Sequence, residues 1–283
     1  MSDRYGISIG RILHPTDFTH GSEVAFTHAL RLCCATHGSL AILHVDREKR
    51  RPDWNKYPSV RDTLSRWQLL PPQASRTDVA HLGVQISKTS IVGEDPADGI
   101  LHHLERHPAD LLVLATHQRH GLDRWMHQTI AGKINSRTDG ATLFIPFGHP
   151  GFVDEQSGQC HLQRILLPVD SDPDPSPAVE VTADLIRALS SGPCEVRLLH
   201  VGDSSAQPAL RLPAEDKAKW RWVNRLGSAV SAILEEAEQE SVDLIVMTTS
   251  GRHGFFDALR GSTTEQIVEH ARCPVLAVHA WSD

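Results

Sequence analysis

The 283-residue chain lacks the marks of several protein classes. Its five cysteines are odd in number and contain no Cys-x-x-Cys pair. A disulfide framework is therefore not expected, and the chain reads as a reduced, cytoplasmic protein. No segment approaches ~18 uninterrupted apolar residues, so no membrane span is expected. Met1 to Gly10 holds no apolar run of signal-peptide length. The net charge of -7 leaves no polybasic footprint for nucleic acid. Gly-x-x-x-x-Gly-Lys-Ser/Thr is missing, as is Gly-x-Gly-x-x-Gly after the first strand; both absences argue against the common phosphate loops. With no Gly-x-Ser-x-Gly elbow, hydrolytic catalysis lacks support, and no catalytic residue is expected. The 18 histidines invite a metal reading. The densest group is His102, His103, His107, His117, His120 and His127, without His-Glu-x-x-His spacing. His103 and His107 share a helix face, but two ligands do not make a site, so no metal is expected.

What the chain does have is a duplication. Asp110-Leu111-Leu112-Val113-Leu114-Ala115-Thr116 recurs as Asp243-Leu244-Ile245-Val246-Met247-Thr248-Thr249. Arg11-Ile12-Leu13-His14-Pro15-Thr16-Asp17 recurs as Arg164-Ile165-Leu166-Leu167-Pro168-Val169-Asp170. Two copies of one domain follow: 1–148, a Gly/Gln/Ser-rich linker at 149–161, and 162–283. Hydrophobic content of 40% and charged content of 22% are globular values, and each copy is long enough to bury its own core.

Short apolar runs alternate with amphipathic stretches, which predicts a parallel α/β sheet. In the first copy strands are expected at 7–14, 39–45, 83–92, 110–116 and 141–146, and helices at 22–36, 59–70, 95–107 and 129–137. Asp95-Pro96 is a helix start, the Asp capping and the Pro taking the first turn. The second copy repeats the order, with strands at 163–169, 194–201, 219–224, 242–249 and 274–280 and helices at 176–190, 228–240 and 262–271. It is shorter between its second and third strands, so 202–217 is expected to be mainly loop, in keeping with Pro208 and Pro213.

Ligands of open α/β sheets sit at the carboxyl ends of the strands. In the second copy the loop after the fourth strand carries Gly251, Gly254 and then Gly261-Ser262 before a helix. Glycines permit close backbone approach, and a helix N-terminus suits phosphate. The same residues also serve as an ordinary turn and cap.

In these residues the chain resembles a tandem universal stress protein. Pro15-Thr16-Asp17-Phe18-Thr19 with Ser22, Ala25 and Ala29 looks like that family's first strand and helix. Leu43-His44-Val45 and Leu199-His200-Val201 look like its second strand, and Arg272-Cys273-Pro274-Val275-Leu276-Ala277-Val278 its closing one. The resemblance implies two open-twisted five-stranded parallel-sheet domains, Rossmann-like and adenine-nucleotide hydrolase-like. They would pack as a pseudo-dimer through their last strands, and a homodimer of tandems stays open.

The resemblance also implies a nucleotide motif of Gly, two residues, Gly, nine residues and Gly-Ser/Thr. The second copy reads Thr248, Gly251, Gly261, Ser262, one glycine short. The first reads Ala115, Gln118, Gln128, Thr129, with no glycine left. ATP, with or without Mg²⁺, is therefore expected in the second copy alone. Pro168, Val169, Asp170 and Val201 would line the adenosine end, with Met247, Thr248, Ser250 and Gly251 along the ribose and α-phosphate. Gly261, Ser262, Thr263 and Thr264 would meet the terminal phosphates. Two functions follow: a stress-response regulatory protein that binds ATP with little or no turnover, or a protein–protein scaffold of the same fold that binds no nucleotide. The protein partners are unknown, and neither nucleic acid nor a membrane is expected among them. An enzyme of the wider fold is a third, weaker class.

Overall fold

The computed structural model describes residues 9–47, 52–116, 140–214, 217–249 and 263–280. The first half runs β1 (Arg11–Pro15), α1 (His20–Thr36), β2 (Ser39–Asp46), α2 (Val60–Arg66), α3 (Arg76–His81), β3 (Gln85–Val92), α4 (Pro96–Arg106), β4 (Leu111–Thr116) and β5 (Ala141–Pro146). The second runs β6 (Arg164–Pro168), α5 (Ser176–Leu189), β7 (Cys194–Val201), β8 (Ala218–Arg225), α6 (Ala229–Gln239), β9 (Leu244–Thr249), α7 (Thr263–His270) and β10 (Val275–His279). The helix expected at 129–137 lies outside the described residues.

The helix starts follow their capping chemistry. Asp95 Oδ1 accepts the N–H of Ala97 at 2.7 Å and of Asp98 at 3.3 Å, with Pro96 in the first turn, as the sequence predicts. The helix expected at 59–70 stops at Arg66. Gln68 takes φ 60° and the Leu69 N–H reaches back to Leu64 O at 2.9 Å, which closes the helix, and Pro71-Pro72 keeps it from resuming. A further helix, α3, follows from a Ser75/Asp78 capping box whose Ser-x-x-Asp signal the sequence reading passed over.

All ten strands form one sheet in the order β3-β2-β1-β4-β5-β10-β9-β6-β7-β8. Each half is parallel throughout, and the two meet where β10 runs antiparallel to β5, Val275 opposite Phe144 and Ala277 opposite Thr142. The order reads as one half reflected into the other, which is the expected pseudo-dimer. Its reason is edge protection: each last strand is fully or nearly fully buried, and left single it would expose unpaired backbone along an apolar edge.

The repeated Asp110 and Asp243 turn out to be structural. Asp110 Oδ2 accepts the N–H of Gly10 and Arg11, and Asp243 Oδ2 those of Gln163 and Arg164. Each ties the start of one strand to the start of its neighbour.

The expectation that each copy buries its own core needs correction. On the α1/α5 face one apolar cluster runs unbroken from Ile9 and Phe26 through Phe152 and Leu162 to Leu185 and Val278. The 149–161 segment is part of that cluster, with Phe152 and Val153 each 2% exposed. Gly151, at φ +74°, has no room for a side chain, since a Cβ there would overlap the His28 imidazole.

Candidate functional site

β6 and β9 pair only at Ile165–Leu244 and Leu166–Ile245. Beyond that they part, because β6 turns to follow β7 while β9 follows β10. The opening lies at the carboxyl ends of the strands, at the switch point of the second half. It holds a cavity of about 260 Å³.

Eight of the twelve residues singled out in the sequence wall this cavity: Pro168, Val169, Asp170, Val201, Met247, Thr248, Thr263 and Thr264. Ser250, Gly251, Gly261 and Ser262 lie outside the described residues. The sequence reading missed Asp172, Pro173, Pro175, Leu199, Ala229, Ile233 and Thr249, which complete the wall. Ala229 and Ile233 come from α6, whose contribution no motif announced.

Pro168 has no N–H, and the ladder resumes at Val169, whose N–H reaches Leu199 O at 2.9 Å. Asp170 is exposed and accepts the N–H of Ser171 at 2.7 Å. With Asp172 it places two carboxylates in the wall and, among the described residues, no Lys, Arg or His faces them there. Thr248 is 9% exposed, and among the described residues its hydroxyl has no hydrogen-bond partner. An unpaired buried hydroxyl costs about 1–3 kcal/mol, which a polar ligand group would offset. The described walls are thus partly apolar and carry hydroxyls and two carboxylates.

The first copy differs at the matching positions. Asp17 Oδ1 accepts the N–H and hydroxyl of Thr19, so it is engaged at the α1 start. Phe18, in Ser171's place, stands at φ 63° with its ring 4.6 Å from His44 and 5.3 Å from Trp54. Ala115 occupies the position of Thr248. Gln118, Gln128 and Thr129 lie outside the described residues.

His103 and His107 bring their rings to 4.7 Å. Among the described residues no group of three or more His, Cys, Asp or Glu is placed to hold a metal ion. Burial pushes the thiols of Cys33, Cys194 and Cys273 up to about 12 and that of Cys34 up to about 11, which makes them inert.

The family model "Universal stress protein family" matches residues 8–139 and 209–279, well over half the chain. The chain belongs to the universal stress protein family. A universal stress protein of Methanocaldococcus jannaschii is 27% identical over 152 residues, 44% of this chain and 85% of the relative. Among solved structures, a universal stress protein from Archaeoglobus fulgidus superposes with a TM-score of 0.61 at 15% identity, over 95% of this chain and 98% of the other. A putative universal stress protein from Pseudomonas aeruginosa gives 0.60 at 14% identity, over 96% and 94%. These two likenesses carry the fold of the whole tandem. Among the described residues, no helix of this universal stress protein is long and apolar enough to cross a membrane.

Proposed function

We propose that this universal stress protein is a cytoplasmic regulatory protein that binds adenine nucleotide, ATP with or without Mg²⁺, in its second half (162–283) with little or no turnover. The observation that carries the reading is the cavity at the ends of β6, β7 and β9, walled in part by eight of the twelve residues that the family resemblance had singled out. Pro168, Val169 and Val201 would hold the adenosine by apolar contact. Asp170 would accept a hydrogen bond from a ribose hydroxyl or the base. Two carboxylates at that end would repel phosphates, which fits phosphates directed toward Thr263 and Thr264 at the start of α7, with Ser250, Gly251, Gly261 and Ser262 in the intervening segment. A cradle of this kind positions phosphate; hydrolysis also needs an oriented water and charge stabilisation. Asp170, the nearer carboxylate, belongs to the adenosine end.

Titration calorimetry with Mg-ATP tests this. About one site per chain is expected, lost in Gly261→Val, because a branched side chain would enter the phosphate path. Two equivalent sites would defeat the assignment to one half. No binding at all, with no nucleotide released on denaturation, would favour the scaffold reading.

A further inference from the structure

We infer that the first half holds a second ligand site of its own, a basic cleft beneath the crossover between β2 and β3 that takes a small, multiply charged anion, a phosphate ester or a polycarboxylate. The cleft measures about 1370 Å³ and lies between α2, α3, the edge strand β3 and the 149–161 segment. Five cations line it (Lys56, Arg61, Arg66, Arg76 and Lys88) against three carboxylates, Glu23, Asp62 and Glu155. In a chain of net charge -7 this is a local reversal of sign.

The cations are not consumed by the fold. Among the described residues, no carboxylate lies within ion-pair distance of any of the five. Arg61 is held by a bond from Nη1 to Ala74 O at 3.3 Å, which fixes the guanidinium without neutralising it. Lys88 Nζ lies 5.3 Å from the Trp54 ring and 5.7 Å from Tyr57, and 3.4 Å from Pro58 O. Partial desolvation lowers the Lys88 pKa, although the residue as a whole is exposed. Guanidinium forks read carboxylate and phosphate in pairs.

Among the described residues the second half has no counterpart to this cleft. The equivalent crossover of the second half, 202–217, has only a short 3-10 turn at Ser204–Ala206 among its described residues. The half whose nucleotide motif has no glycines is thus the half that carries this concave surface.

Calorimetry on the full chain, with tripolyphosphate and with citrate as probes at low and at moderate salt, tests the inference. In Gly261→Val, which removes the second-half phosphate loop as a competing site, one anion per chain is expected to remain, weakened about tenfold or more when Arg66→Gln/Arg76→Gln is added and falling with salt. The two probes tell a phosphate source from a carboxylate one. Hydrogen exchange on the unmutated protein should show new protection in 60–80 and 85–88 with the tighter probe. The inference is overturned if neither anion binds, if the double variant binds as well as the original, if Gly261→Val alone removes binding, or if that protection is absent.

Discussion

His28 and Phe152 are joined twice, across 124 residues of sequence. The His28 Nε2 accepts the Phe152 N–H at 3.0 Å, and that of Val153 at 3.2 Å. The Phe152 ring stands edge-on to the imidazole with centroids 4.7 Å apart. Nδ1 of the same ring donates to Val24 O at 2.8 Å, which fixes the neutral tautomer. A helix of the first half thereby clamps the segment that leads into the second.

The first prediction is that His28→Ala destabilises the protein by about 2–4 kcal/mol, from two orphaned buried N–H groups and a cavity under Phe152. Denaturant melts measure the loss. Hydrogen exchange at Phe152 and Val153 should accelerate before the rest of the core, and unchanged exchange there would refute the clamp.

A second prediction concerns pH. Burial lowers the pKa of His28 to about 4, and that of His14 likewise to about 4. His14 is neutral between Val113 O at 2.9 Å and the Tyr57 hydroxyl at 2.7 Å. Unfolded histidine titrates near ~6.5, so between there and about 4 the unfolded chain binds more protons. The stabilisation is whole above ~6.5 and falls away as pH drops through that window, by up to about 3 kcal/mol per histidine. Melting temperatures from pH 7 to 4 should show the decline, and His14→Leu, the residue found at 167, should flatten it. An unchanged slope in His14→Leu would mean that His14 is not responsible.

The third prediction concerns a buried ion cluster. Arg197 donates to Glu236 Oε1 through Nε at 2.9 Å and Nη2 at 2.6 Å, and reaches Glu195 and Glu240 at 2.8 and 3.0 Å. The Glu236 side chain is 0% exposed. Arg225 Nη2 still pairs with Glu236 Oε2 at 2.6 Å, so Arg197→Met removes two of the hydrogen bonds to that buried carboxylate without leaving it unpaired, and should cost about 2–3 kcal/mol. Arg197→Met/Glu236→Leu should recover much of this. A double variant as unstable as the single one would contradict the account.

A fourth prediction follows from the unlike copies. Gln128→Val should change ATP binding little, whereas Thr248→Gly, which restores the family's first glycine, should preserve or strengthen it. Tighter binding on restoring glycine at 118 and 128, without any effect at 248, would place the site in the first half instead.

Much of the fold was legible because it was written twice. Asp110 and Asp243, Arg11 and Arg164, and the apolar runs of β4 and β9 fixed the strands that pair at the centre of each half. The Asp95-Pro96 start needed only local capping chemistry. What failed to show was α3, whose short Ser75/Asp78 box lacks hydrophobic periodicity. The candidate site was legible where it follows the strand ends, at Pro168, Asp170 and Met247, and illegible where α6 supplies Ala229 and Ile233. Their part depends on how a helix packs.

The sequence by itself determined the parallel α/β order, the duplication, and the loss of glycines from the first motif, since these rest on periodicity and residue chemistry within a few positions. Only the tertiary structure decided that Phe152 and Val153 of the 149–161 segment are buried in the shared core, and that Lys88 and Arg76 line one cleft. Those facts depend on contacts such as His28 with Phe152, between residues whose types carry no trace of each other until packing brings them together.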